Sequence, residues 1–417
     1  MSNWKKYKLG EIAEITSSKR IFLSDYVSEG IPFYRSKEII EKFNKKKIST
    51  ELFIEKSKYQ KIKDEFGVPK ENDLLLTSVG TIGIPYLVRR KDEFYFKDGN
   101  LTWFKNFNNN FLPKYLFYWT QSPIGKNAIE KTKIGSTQQA LTIVSLKQIE
   151  IQAPDLPIQT QIAQILTSFD DKIELLGQMN QTLETMAQTI FKEWFVDFNF
   201  PGFDGEMVDG LPKGWRKGKL GEIFQPKKGR NITKAEAIEG EFPVVAGGLE
   251  PSCYHNKSNT NAPVVTVSSS GANAGFVRLY HAPVWSSDSC YIDNTIYPYV
   301  YFAYLFLKQN QSIIYNSQQG CAQPHIYPSH IMHLDVAIGN EKNVADFENL
   351  VTPLFEKILE NQQQIRTLTQ LRNTLLPKLM SGAVRVEGYS SVFSGDDLDT
   401  VAISDKLSNE PTQSTEK

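Results

Sequence analysis

Cysteine is scarce in this sequence. Its 417 residues include only Cys253, Cys290 and Cys321. An odd number with no Cys-x-x-Cys pair argues against a disulfide framework and fits a reducing, cytoplasmic compartment. Long apolar runs are also missing, and none approaches the roughly 18 residues of a membrane-spanning helix. The first residues, MSNWKKYKLGEIAE, lack an apolar core and a small-residue cleavage site, so no signal peptide is expected. There is no net charge: 47 Lys+Arg balance 47 Asp+Glu. A basic coat over the whole chain is thereby excluded, and any nucleic-acid surface must be a local patch.

Catalytic motifs are absent as well. The sequence has no GxxxxGK[ST] phosphate loop and no GxGxxG opening a helix. It has no GxSxG elbow, and no Asn/Asp-Pro-Pro-aromatic tetrapeptide of the kind adenine methyltransferases place around a flipped base. All five His lie in the second half with the three Cys, but at scattered spacings that lack the short paired ligands of a structural zinc site. His325 and His330 read instead as loop polar groups able to face DNA. Asp170-Asp171 reads as the solvated face of a helix. No catalytic residue and no metal ligand is expected in this chain.

What is present is a repeat. WKKYKLGEI begins at Trp4 and WRKGKLGEI at Trp215, an offset of 211 that also carries Pro32 to Pro243. Leu74 to Gly83 resembles Val264 to Gly275, each an apolar strand running into a Ser/Gly turn. The aromatic segment from Leu112 resembles that from Tyr297, a helix with Pro in its first turn. Tyr115, Tyr118, Tyr301 and Tyr304 recur at helical spacing and are expected in the core. From Gly135 and Gly320, each followed three residues later by Gln (Gln138, Gln323), the offset is a constant 185. A drifting offset means that loops differ; a constant one means that the next element tolerates no change of length.

That element is helical. From Ile158 to about Phe198, one seven-residue series runs through Ile162, Phe169, Leu176, Leu183 and Ile190, with Ile173, Ala187 and Trp194 in its companion. The second copy holds Phe347, Leu354, Leu368 and Leu375, with Val351, Ile358, Ile365 and Leu379. Such a seam, sustained over about five heptads, predicts a coiled coil. Two helices of about forty residues span about 60 Å each. Neither buries its stripe alone, so they are expected to pair antiparallel about a pseudo-two-fold axis, with one module near each end. That pairing sets Leu176 against Ile365 and Asn180 against Asn361. An Asn–Asn hydrogen bond at the axis would pin the register; the alternative is that both side chains are solvated on a looser seam.

Charge is uneven along the chain. Residues 1–134 carry 25 Lys+Arg against 16 Asp+Glu, net +9, whereas residues 135–200 carry 3 against 8, net −5. Positives bunch at Lys19-Arg20, Arg35 to Lys37 and Lys45 to Lys47, and from Lys213 to Lys234. Clusters beside turns suit phosphate contacts. The candidate DNA-binding residues are Lys19, Arg20, Arg35, Lys37 and Ser78 in the first module, and Lys228, Arg230, Asn231, His255 and Asn273 in the second. Arg pairs bidentately with guanine and Asn with adenine in the major groove. For each residue singly, plain loop surface is the competing reading.

These motifs together resemble the DNA-specificity subunit of type I restriction-modification systems. Two variable modules each open with W-x4-LGEI, close with G-x2-Q and a strand, and lead into a long helix. Leu156-Pro-Ile-Gln-Thr-Gln-Ile-Ala-Gln-Ile-Leu166 with FDDKIELL and FKEWFVDF looks like that family's central conserved region. LRNTLLPKLMSGAVRV from Leu371 looks like its distal one. The second copy departs from the pattern, with Glu341-Lys-Asn-Val344 where the first has Leu-Pro-Ile-Gln.

The resemblance implies an α+β chain: two mixed α/β target-recognition domains separated by two long antiparallel helices, a pseudo-two-fold internal repeat. The expected segments are 1–156, first recognition domain; 157–200, central helix; 201–340, second recognition domain; 341–382, distal helix; and 383–417, a disordered acidic tail. It also implies that each domain reads one half of an asymmetric bipartite site in double-stranded DNA while the helices set the gap. Two methyltransferase subunits, using S-adenosylmethionine, and two motor-nuclease subunits, using ATP and Mg, would bind here; the chain itself would hold no cofactor. A pseudo-dimeric protein-interaction scaffold without DNA specificity is the alternative. Salt-dependent binding to a bipartite duplex separates the two. The repeat further predicts that residues 1–200 self-associate and read a palindrome.

Overall fold

The computed structural model describes residues 4–49, 51–135, 139–318 and 324–386. Gln138, Gly320, Cys321, Gln323 and the tail from 387 onward lie outside the described residues. The chain divides into two compact units, Met1–Lys172 with Thr367–Lys417, and Ile173–Arg366. This division cuts through both long helices, so each helix belongs in part to either unit. No helix among the described residues is long and apolar enough to cross a membrane.

In the first unit, one antiparallel sheet orders Glu14–Thr16, Leu101–Lys105, Leu74–Thr77 and Pro85–Leu87. A second sheet orders Tyr26–Val27, Phe53–Ile54, Ile31–Tyr34 and Tyr95–Phe96, the last pair parallel. Leu74, Leu75 and Leu76 are all buried, as a central strand covered on both faces requires. The second unit repeats the plan. Lys227–Lys228, Ser289–Asp293, Val264–Ser268 and Val277–Tyr280 form its four-stranded sheet. Phe242–Val245 pairs in parallel with Trp285–Ser286. The drifting offset reflects the connections: helices Ser36–Phe43 and Lys56–Glu65 of the first module have no helical counterpart among the described residues of the second.

The LGEI motif has a local cause in both copies. Lys5–Lys8 pairs antiparallel with Glu150–Ala153, and Arg216–Lys219 with Asp335–Ile338, closing each module at its base. The Glu then reaches back to its own turn: Glu11 accepts from the Lys8 N–H at 2.8 Å and Glu222 from the Lys219 N–H at 2.7 Å. The glycine is required by a close approach, since a Cβ at Gly221 would come within 2.9 Å of Met332. The repeated Trp packs on a helix end. Trp215 lies beside Phe195, Phe198 and Phe200, and Trp4 lies against Gly382.

The long helices run Leu156–Phe195 and Glu341–Met380. The first starts two residues before Ile158 and stops before Phe198, which adopts φ +60° outside it. The second is opened by Asn340, whose side-chain oxygen accepts from the Lys342 N–H at 2.9 Å. It ends at Gly382 (φ +71°), where the Ala383 N–H returns to the Lys378 carbonyl at 2.9 Å. In the second unit the pairing is antiparallel: Trp194 packs on Phe347 at 5.7 Å, and Asn361 donates to the Asn180 Oδ1 at 2.9 Å. Leu176 is buried and Ile365 half-buried.

Two positions of the seam differ from the heptad expectation. Phe191 rather than Ile190, and Phe355 rather than Leu354, are the fully buried side chains. These faces turn toward the module helix Val300–Gln309: Phe191 meets Phe302 and Phe355 stacks on Tyr301 at 4.3 Å. A third packing partner rotates the buried stripe away from a strict two-helix seam.

Candidate nucleic-acid interface

In each module, four connections leave the C-terminal ends of strands and converge. In the first module they are 17–20, 35–37, 78–81 and 97–100. The Ser18 hydroxyl donates to the Phe96 carbonyl at 2.7 Å, and the Lys19 N–H donates to the Tyr95 hydroxyl at 2.7 Å. The Asn100 carbonyl accepts from both the Ser36 hydroxyl (3.4 Å) and the Ser78 N–H (2.8 Å). Lys37 lines a groove with Ser36, Lys46, Gly80, Thr81 and Asn100, while Lys19, Arg20 and Arg35 sit on the neighbouring connections 17–20 and 35–37. Backbone bonds fix the loops while side chains stay available. Lys37 is 58% exposed and Arg20 70% exposed, the latter pairing with Asp98 at 3.0 Å.

Arg35 is committed differently. Its guanidinium donates to Glu38 Oε1 at 2.8 Å and its N–H to Glu38 Oε2 at 2.7 Å. Burial pushes the Glu38 carboxyl up, but the Arg35 side chain and backbone bonds outweigh it and hold the group below its ordinary value. Arg35 keeps an exposed edge, so a phosphate would share it with Glu38.

The second module builds the corresponding face from 229–231, 246–249, 269–273 and 287–288. The Arg230 N–H donates to the Ser286 carbonyl at 2.9 Å and the Trp285 indole to the Arg230 carbonyl at 2.8 Å. The Ser269 N–H donates to the Asp288 carbonyl at 3.1 Å, matching the Ser78–Asn100 bond. Lys228, Arg230 and Asn231 are exposed and Asn273 half-buried. A bridge pairs Ser270 with His325, whose ring lies parallel to that of Tyr327.

Two of the expected readers, Ser78 and His255, are buried. Ser78 is 2% exposed, and its hydroxyl bonds to the Thr102 hydroxyl and the Leu76 carbonyl inside the sheet. The side chain alternates inward at that position, and only its backbone serves the face. His255 is 6% exposed, with Nδ1 accepting from the Ile238 N–H at 3.0 Å and its ring edge-on to Trp285. Both side chains support loops. The bunched positives divide as well: Lys213, Arg216 and Lys219 are tied to Glu206, Glu222 and Asp335 near the module base. His330 and His333 line a separate groove with Asn310.

Sequence reasoning missed Asn100, Asp288 and Ser270. Their signal lay in the repeat, since each follows the strand that mates with an already identified one. Asp170 also proves to be more than a solvated carboxylate. It pairs with Arg372 at 2.9 Å and accepts from the Tyr118 hydroxyl at 2.8 Å.

Away from the loops, the first long helix leaves Leu175, Met179 and Met186 exposed beside a groove formed by Gln178, Thr182, Thr185 and Ile190. Among the described residues, no three His, Cys, Asp or Glu gather as a metal site.

A family model described as the type I restriction modification DNA specificity domain matches residues 1–185 and 212–375. The type I restriction enzyme MjaIX specificity subunit of Methanocaldococcus jannaschii is 30% identical, covering 75% of this chain and 78% of that relative. The HindI specificity subunit of Haemophilus influenzae is 24% identical, covering 92% of this chain and 100% of its own. A type I restriction-modification S subunit from M. genitalium shares the fold, with a TM-score of 0.59 and 20% identity over 90% of this chain and 96% of that one.

Proposed function

The chain belongs to the type I restriction-modification DNA specificity family, and from that premise we propose that its two loop faces each read one half of an asymmetric site in double-stranded DNA. The observation that carries the reading is the pair of equivalent faces made from different residues. A shared strand plan presents Lys19, Arg20 and Lys37 in one module and Lys228, Arg230 and Asn231 in the other. Equal scaffolds with unequal side chains suit a site whose halves differ.

The long helices set the gap between half-sites. Each is forty residues long and passes without interruption through the boundary of the units. A helix adds about 1.5 Å per residue, so its length converts directly into distance along a duplex. The exposed stripe Leu175, Met179 and Met186 is the surface for partner subunits, since an unpaired apolar face on a surface helix gains by burial. The partners are two methyltransferase subunits and two motor-nuclease subunits, which bring S-adenosylmethionine, ATP and Mg; the chain contributes no catalytic group, and the complex works in the cytoplasm.

The test is a methylated-adenine map of DNA exposed to the chain with its methyltransferase subunits, followed by binding to that duplex. Arg230→Ala and Lys37→Ala are each expected to weaken binding about tenfold and to flatten its salt dependence by about one counterion. A four-residue insertion in one long helix is expected to abolish recognition or shift the gap. Binding indifferent to sequence and to both substitutions would leave the scaffold reading.

A further inference from the structure

The first module holds two large apolar side chains in solvent beside its basic loop. Phe22 is 61% exposed and Leu23 85% exposed. They directly follow Lys19-Arg20 and occupy a short turn that is firmly built. The Phe22 N–H donates to Asp25 Oδ2 at 2.9 Å, and the Asp25 N–H returns to the Phe22 carbonyl at 3.0 Å. Asp25 also pairs with Lys58 at 2.5 Å. Ile21, just before the pair, is buried in a core cluster with Phe33, Ile54 and Tyr59, and Tyr26, just after it, packs on the same cluster. The chain is anchored on both sides of the two residues and projects them outward. Lys19 stands 4.1 Å above the ring of Phe66, itself 45% exposed, so the turn adjoins a mixed apolar and cationic surface.

We propose that Phe22 and Leu23 form a wedge that enters the first module's half-site between base pairs, while Lys19 and Arg20 hold the flanking phosphates. The inference rests on the DNA reading above and adds to it a mode of contact. Apolar side chains flanked by cations suit the interior of a base step and the phosphates beside it. An anchored turn also enters with less loss of conformational freedom than a mobile loop. Under the 211 offset the second module has Thr233 and Lys234 in these places, both polar and exposed. The wedge therefore acts in one half-site alone, and the DNA is unstacked asymmetrically.

The experiment uses the full chain with its methyltransferase subunits on the mapped duplex, carrying 2-aminopurine at successive steps of both half-sites. Apart from the target adenines that the methyltransferase subunits flip, the wild type is expected to brighten the fluorophore at one further step, in one half-site. Phe22→Ser with Leu23→Ser is expected to abolish that signal and weaken binding about tenfold without changing the salt slope, because no charge is removed. Leu23→Ser alone, at the more exposed position, gives the same direction with less risk to the fold, and circular dichroism checks both variants. A complex that binds its site normally with no step bright beyond the flipped adenines and both variants unaffected overturns the wedge and leaves the DNA reading intact. Loss of methyltransferase association with DNA contact unchanged also overturns it, marking a protein-docking turn. A wild-type chain that binds no duplex overturns the DNA reading and the wedge together.

Discussion

The two units use one topology and differ in the side chains that fill the contact of module and helix pair, although each keeps a module tyrosine on a carboxylate of the first long helix, Tyr118 on Asp170 and Tyr304 on Glu184. In the first unit, a polar cluster stands among buried apolar side chains: Asp170 pairs with Arg372, Arg372 donates to the Gln121 side chain at 2.7 Å, and Tyr118 donates to Asp170. The Gln159 amide receives the Leu112 N–H at 2.8 Å just before the module helix. In the second unit, Phe191, Phe195, Phe302 and Phe347 meet as rings, and Tyr301 stacks on Phe355. A carboxylate from a different turn, Glu348, serves the start of the second module's helix, accepting the Tyr301 and Phe302 N–H groups at 2.9 and 2.8 Å. Backbone geometry tolerates little drift because the helices must keep their length. The side chains that fill the contact are free to change, provided each polar group retains a partner.

The largest expected effect breaks the aromatic side of this comparison. Phe347 is fully buried against four ring systems. Phe347→Ala is expected to cost about 3–5 kcal/mol, lowering the urea midpoint of the second unit and leaving hydrogen exchange in the first unit's sheets unchanged. A uniform loss of protection in both units would show that the two contacts are not independent.

Glu348 offers a pH-dependent contrast with Gln159. Burial raises its carboxyl to about 7, against the pull of the Tyr301 and Phe302 N–H groups. The folded state therefore holds the proton more tightly than the unfolded chain does. Stability from this group is complete below the ordinary value of 4.5 and is lost as pH rises through 7. The loss amounts to at most about 3 kcal/mol. Urea melts at pH 5 and pH 8 check this, and Glu348→Gln should flatten the difference.

On the polar side, Arg372→Ala leaves Asp170 and Gln121 without their partner. Arg372 and Asp170 are 18% and 25% exposed, so the cost is expected near 2 kcal/mol, below that of a fully buried pair. Adding Asp170→Asn should restore part of it; if the double variant is no better than the single one, the pair is not coupled.

The smallest effect concerns the asparagine layer. Replacing both Asn180 and Asn361 with Leu is expected to stabilise the helix pair by about 1 kcal/mol while relaxing its register. Asn361→Leu alone strands Asn180 and should destabilise by a similar amount. Melting of the three variants measures the coupling.

Much of this architecture was legible before any coordinates. The 211 and 185 offsets marked two modules, the heptads marked two long helices, and the pseudo-two-fold axis paired Asn180 with Asn361. Heptad spacing put Ile190 and Leu354 on the packed face, where both lie half-buried against the core, but the deepest positions are Phe191 and Phe355, because a module supplies a third surface. Polarity alone does not distinguish a hydroxyl or imidazole facing solvent from one satisfied inside the fold, as at Ser78 and His255.

Local physics settles elements: heptad periodicity and short repeated motifs act over a few positions, so the long helices and the LGEI repeats could be read along the chain. Convergence is different. That Asn100 holds Ser36 and Ser78 together, that Arg372 meets Asp170, and that Phe22 and Leu23 stand in water between buried neighbours depend on contacts between distant segments. Only the folded backbone decides which of many polar or apolar side chains is left facing outward.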